Sequence, residues 1–128
     1  MPFVRCAVPE DAARAWDACV AGRRTAAFLV FGGTQPDTGV SWCPDCTVAD
    51  PVLRGTIARL RPDLTVHECP VAARSDWKGN AAHPYRLHAG LRISRIPTLI
   101  LLVDGIERGR LVESDCADAA GVAAFLAA

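Results

Sequence analysis

The stretch SWCPDC, Ser41–Cys46, decides the reading of this chain: two cysteines separated by two residues, directly behind a tryptophan. Zinc sites and redox dithiols both use C-x-x-C, so the spacing alone leaves both open. The surroundings separate them. Upstream, AAFLVF (26–31) is a short continuous apolar run, as in a strand buried on both faces. GGTQPDTGVS (32–41) is a loop of turn formers. From Cys43 to about Leu60 the pattern predicts a helix, interrupted at Pro51, where a lost backbone donor should kink it. The dithiol thus falls after a buried strand, at the first turn of a helix. Unpaired amide hydrogens and the positive dipole end of a helix stabilise a thiolate there.

Cys43, the more N-terminal and by expectation the more exposed thiol, gains most from that position. Lowering a thiol pKa from about 8.5 to about 7 raises the thiolate fraction at neutral pH from a few per cent to about half. Intrinsic nucleophilicity falls at the same time, with a Brønsted slope near 0.5, so the net rate gain is only about threefold. The larger advantage is Cys46, held ready to complete an exchange. Asp45, inside the motif, is a candidate proton acceptor for Cys46, or simply an acid that suits a first helical turn. Trp42 is either core or a contact surface for a substrate.

The zinc reading needs two more ligands. His67, Cys69, His83 and His88 are available, but there is no second C-x-x-C and no finger-like H-x₃₋₅-H. No metal is expected, and the histidines read as surface or partly buried residues. Cys6, Cys19, Cys69 and Cys116 sit singly in apolar or helical contexts and read as small buried hydrophobes kept reduced. Cys69, near a strand end, is the least settled of them.

Further out, Phe3–Val8 reads as a short strand and PEDAARAWDACVAGR (9–23) as a helix with Pro and acids at its start. Leu64–Cys69 is another strand, followed by an irregular stretch holding Trp77 and a helix after Pro84. TLILLVDGIERGRLVES (98–114) is a hairpin about the Asp104–Gly105 turn signal, and CADAAGVAAFLAA (116–128) a closing helix with Asp115 as cap. The order β-α-β-α-β-α-β-β-α predicts an α/β fold with a mixed central sheet covered by helices.

The chain has 128 residues, the size of one domain, and one domain over 1–128 is expected. With 51% hydrophobic residues it can bury a core without staples, so its six cysteines do not demand a disulfide framework. Lys+Arg and Asp+Glu both number 14, which leaves no basic field to recruit nucleic acid or acidic lipid. No apolar run reaches bilayer length, and the start lacks a secretory layout. A cytoplasmic monomer is expected.

WCPDC (42–46) resembles the active site of the thioredoxin domain-containing protein 17 family, small cytosolic thioredoxin-related reductases. The resemblance extends through F-x-G…SWCPDC…DPV, CPVAARSDWKG (69–79), ISRIPTLILL (93–102) and RLVESDC (110–116), most of the chain from Ala27 to Cys116. It implies a thioredoxin fold, with Pro97 cis and facing the active-site cysteines. Ile-Pro is a bond where a cis form is inexpensive, although a plain trans proline at a strand start also suits the sequence. Ile96 would offer backbone groups to a substrate chain, as an added strand does. Trp42 and Pro44 would flank the same site.

The resemblance further implies a thiol–disulfide oxidoreductase with a redox-active Cys43–Cys46 disulfide and no bound cofactor. Thioredoxin reductase would regenerate it. Small or exposed disulfides such as cystine, together with persulfides and nitrosothiols, would be its substrates, and support of peroxide removal is a further implication. Two features depart from ordinary thioredoxin: Val30 falls where thioredoxin has a buried acid, and the loop Gly32–Ser41 is longer. A glutathione-dependent glutaredoxin-like enzyme, a redox-sensing adaptor and a zinc module are the other readings.

Overall fold

The computed structural model describes residues 3–127. Strand β1 (Phe3–Arg5) leads to helix α1 (Pro9–Ala21), β2 (Ala26–Gly32), α2 (Pro44–Leu60) and β3 (Val66–Val71). Two short helices follow, α3 (Arg74–Trp77) and α4 (Pro84–Leu87), then β4 (Thr98–Val103), β5 (Ile106–Val112), a 3-10 turn (Glu113–Ala117) and α5 (Ala119–Ala127). The strands form one sheet in the order β1-β3-β2-β4-β5. β3 runs parallel to both β1 and β2, while β4 is antiparallel to β2 and β5 to β4. The expected mixed sheet flanked by helices is therefore present.

β2 lies at its centre, and both faces of that strand are covered. Phe28 and Val30 pack with Trp16 of α1, Trp77 of α3 and Tyr85 of α4. Ala27 and Leu29 pack with Leu53 and Ile57 of α2 and with Val122 and Leu126 of α5. This is why AAFLVF reads as an unbroken apolar run rather than an alternating one.

Five expectations need correction, the first being the opening strand, expected over Phe3–Val8, which ends at Arg5. Helix α2 runs through Pro51 without a break. Pro51 and Thr47, whose carbonyl loses its intrahelical donor, are both exposed, so water can take the donor's place. β3 begins and ends two residues later than Leu64–Cys69, and it contains Pro70. β1 has already stopped at Arg5, opposite Glu68, so β3 has a free edge at Pro70, where a missing N–H does no harm. The irregular stretch around Trp77 is a helical turn. Asp115 lies inside the 3-10 turn, and Asp118 is the residue that precedes α5. The turn at Asp104–Gly105 has positive φ at both residues (54° and 79°), which matches the twist of the β4–β5 hairpin. The expected domain limits 1–128 and the end of the last helix extend to Met1, Pro2 and Ala128, which lie outside the described residues.

Candidate active site

Strand β2 ends at Gly32 and helix α2 begins at Pro44, and the loop between them returns the chain to the strand end. Ser41 makes that return. Its hydroxyl donates to Gly32 O at 2.7 Å and accepts from Cys43 N at 3.1 Å. Trp42, half-buried, donates its indole N–H to Val71 O on β3 at 2.8 Å, so it is tied to the sheet while one side stays open. Gly32 is required by close approach: a Cβ there would lie 2.6 Å from the Cys43 Cβ and 2.9 Å from the Trp42 ring.

Cys43 is the N-cap of α2, and Pro44 occupies the first helical position, where its missing N–H leaves no bond unmade. Cys43 and Cys46 form a disulfide, with Cα atoms 5.2 Å apart. The Cys46 amide points at Cys43 Sγ, at 3.2 Å, while the Gly32 amide donates to Cys46 Sγ at 3.3 Å. Each sulfur thus has a backbone N–H of its own. The expected contrast in exposure is small, since Cys43 is 6% and Cys46 4% exposed. They differ in direction instead. Cys43 opens on a cleft that it shares with Trp42, Pro44, Asp45, Trp77 and Ile96, and whose wall carries the cations Arg74 and Lys78. Cys46 opens on a second cleft beside Thr34, Ser41, Asp50 and Arg54.

The Ile96–Pro97 peptide bond is cis and leads directly into β4. Both residues are buried, and Glu113 N–H donates to Pro97 O at 2.8 Å. Ile96 reaches the Cys43 cleft from a segment more than fifty residues away in the chain. Asp45, exposed in the first turn of α2, lies on the Cys43 side. Asp50, paired with Arg54 at 2.8 Å, is the carboxylate on the Cys46 side. Val30 is fully buried in the position where an acid is lacking.

Sequence reasoning did not single out Ser41, Asp50, Arg74 or Lys78. Ser41 acts through bonds to two separate elements, and Arg74 and Lys78 reach the site only because the turn after β3 brings them to the cleft at the start of α2. No local pattern carries either relation.

Among the described residues, no group of three or more His, Cys, Asp or Glu side chains is placed to hold a metal ion. The candidate zinc ligands have other tasks. His83 is buried, not a surface residue, and caps α4 by accepting from Tyr85 N at 3.0 Å. His88 accepts from Gly90 N and Leu91 N, both at 3.1 Å. His67 stacks on Phe28. Cys6, Cys19, Cys69 and Cys116 are all free and buried. Burial pushes the Cys116 thiol up to about 12 and also raises Cys19.

A sequence profile of the family described as thioredoxin domain-containing protein 17-like, thioredoxin domain, matches residues 10–128. The mouse protein named thioredoxin domain-containing protein 17 is 35% identical over 89 residues, 70% of this chain and 68% of its own. A Leishmania infantum protein named acireductone dioxygenase is 36% identical over 100 residues; these are 72% of this chain but 29% of that protein. Among solved structures, oxidised thioredoxin O2 from Arabidopsis thaliana superposes with a TM-score of 0.68 at 18% identity, covering 98% of this chain and 94% of its own. That likeness establishes the thioredoxin fold.

Proposed function

This chain belongs to the thioredoxin domain-containing protein 17-like family, and on that premise we propose that it is a disulfide reductase in which Cys43 attacks and Cys46 resolves. One observation carries this order of events: Cys43 is the helix N-cap and accepts the Cys46 amide hydrogen. In the reduced protein that donor and the helix dipole favour the Cys43 thiolate. The thiolate attacks one sulfur of a substrate disulfide and expels the other as a thiolate. Cys46, after losing its proton, attacks Cys43 Sγ and expels the second half of the substrate. The substrate gains two electrons, and the dithiol becomes the Cys43–Cys46 disulfide.

Thioredoxin reductase, drawing on NADPH, is the proposed reductant, and small or exposed disulfides such as cystine, with persulfides and nitrosothiols, the proposed substrates. The Cys43 cleft suits them. Trp42, Trp77 and Ile96 supply apolar walls, Pro44 lies at its rim, and Arg74 and Lys78 can meet the carboxylates that cystine carries. Four free buried thiols suit a reducing compartment, the cytoplasm. We further take the chain to act as a monomer built from one domain.

NADPH consumption in the presence of thioredoxin reductase, with cystine, insulin or glutathione disulfide as acceptor, tests the reading. Turnover with cystine is expected. A protein served by glutathione instead would be glutaredoxin-like, and partner binding without turnover would make it an adaptor. The division of roles has its own test. Cys43→Ser should abolish reduction, whereas Cys46→Ser should accumulate a mixed disulfide on Cys43, read by mass spectrometry of the intact adduct and its peptides. An adduct on any other cysteine overturns the assignment.

A further inference from the structure

Cys6 follows directly on β1, and its amide donates to Glu68 O at 2.8 Å. The pairing of β1 with β3 runs Phe3 with Val66, Val4 with His67 and Arg5 with Glu68. One step further in the same register, Cys6 stands abreast of Cys69. Both side chains belong to the same core layer, beneath Trp16, Trp77 and Tyr85, so they project from the same face of the sheet. Neighbouring strands lie about 4.8 Å apart. That separation falls within the Cα range of about 4.4–6.8 Å that a disulfide spans.

We propose that Cys6 and Cys69 are a second dithiol, which closes to a disulfide when the protein meets hydrogen peroxide. With the two thiols side by side, the Cys69 S–H next to Cys6 lowers Cys6, while Cys69, beside Cys6 and enclosed in the core, is raised well above the ordinary thiol value. A thiolate on one sulfur is held by the S–H of the other, and the more deeply enclosed Cys69 keeps its proton. Cys6 is therefore the attacking group. Its thiolate takes one oxygen from the peroxide, forming a sulfenic acid and releasing the second oxygen as water. Cys69 then gives up its proton and attacks the Cys6 sulfur, the S–S bond forms, and a second water leaves. Two thiols and one peroxide become one disulfide and two waters.

The position explains how buried thiols could be reached. β1 is a three-residue edge strand that pairs with β3 alone, and Ala7 and Val8 beyond Cys6 are exposed. Local opening of such an edge requires few contacts to break. The other buried thiols are placed differently. Cys19 Sγ lies 3.9 Å from His67 Nε2, and Cys116 sits under the opposite face, beside Pro97 O. The step requires neither Cys43 nor Cys46, so it stands or falls separately from the reductase reading.

Peptide mapping of the full chain decides it. Reduced protein, freed of reductant, is treated with a slight excess of hydrogen peroxide, denatured in an alkylating agent and cut with trypsin. Cleavage after Arg5, Arg14, Arg59 and Arg74 places Cys6 alone in peptide 6–14 and Cys69 alone in peptide 60–74. The expected product is these two peptides joined, with loss of two alkylated thiols, in wild type and in the Cys43→Ser/Cys46→Ser double variant alike. In Cys6→Ser the joined species should vanish. Should the double variant fail to fold, the wild-type map alone gives the answer. The proposal is overturned if both peptides remain alkylated, if either cysteine is oxidised singly to sulfinic acid, or if Cys69 is found joined to Cys19 or to the active-site pair.

Discussion

At the end of β2, a single missing side chain makes room for the reaction. A methyl group on Gly32 would meet the Cys43 Cβ and the Trp42 ring together, neither of which can move without disturbing the helix start. Overpacking of that kind costs about 1–3 kcal/mol. Around this glycine the two sulfurs are divided between two clefts, and the carboxylates are divided with them. A base must come within hydrogen-bond reach of its proton, directly or through one water. Asp45 opens on the Cys43 side and Asp50 on the Cys46 side. Comparing Asp45→Asn with Asp50→Asn assigns the proton acceptor of Cys46. The variant that removes it should turn over about tenfold or more slowly at pH 6 and approach wild type near pH 9, where the thiol ionises unaided. A profile that only shifts along the pH axis marks a carboxylate acting through its charge. Arg54 keeps its second partner, Glu68, in either variant, so the Asp50 substitution leaves that guanidinium paired.

Among the elements, the β2–α2 connection has the most to reveal about selectivity. It is an ordered loop: Thr34 and Ser41 form an isolated bridge, and Gln35 N donates to Val40 O at 2.9 Å. Residues 36–39 are the tip beyond that bridge and bury no large apolar side chain, so core packing does not account for them. A tolerated insertion would cost little in closure entropy and need no purpose. A restriction on bulky substrates would obstruct a flat protein surface more than cystine. Replacing 36–39 with a two-residue turn, with Thr34, Ser41 and Trp42 kept, separates the two. Insulin reduction is expected to rise severalfold relative to cystine reduction in the shortened protein. An unchanged ratio in a variant with a native thermal melt assigns selectivity to Trp77 and Ile96 at the Cys43 cleft.

For the molecule as a whole, two histidines couple stability to pH. His67 and His83 are both held below the ordinary value of 6.5, in each case chiefly because burial disfavours the imidazolium. The unfolded chain therefore binds more protons than the folded one below about pH 6.5, and the stability these groups contribute above that pH is lost as it falls. The melting temperature should drop by a few degrees between pH 7 and pH 5.5, above the range where ordinary carboxylates titrate. His83→Asn, which keeps an acceptor at the N-cap of α4 but does not titrate, should flatten that dependence; an equally steep fall would remove His83 from the account. Much of the architecture was legible before any coordinates, because it is written in short-range patterns. An apolar run of strand length, an Asp-Gly turn between two such runs and a C-x-x-C at a helix start all act within a few residues. The continuity of α2 through Pro51 and the extent of β3 past Cys69 were not, since each depends on whether water or a neighbouring strand meets the backbone at that point. The same holds at the site. Local spacing and resemblance singled out Cys43, Cys46, Ile96 and Pro97 by themselves. Only the tertiary structure brought Trp77, Arg74 and Lys78 to one sulfur and Asp50 to the other, and set Cys6 beside Cys69. Those relations are made by strand order and helix packing, which join residues far apart in the chain and leave no periodicity between them.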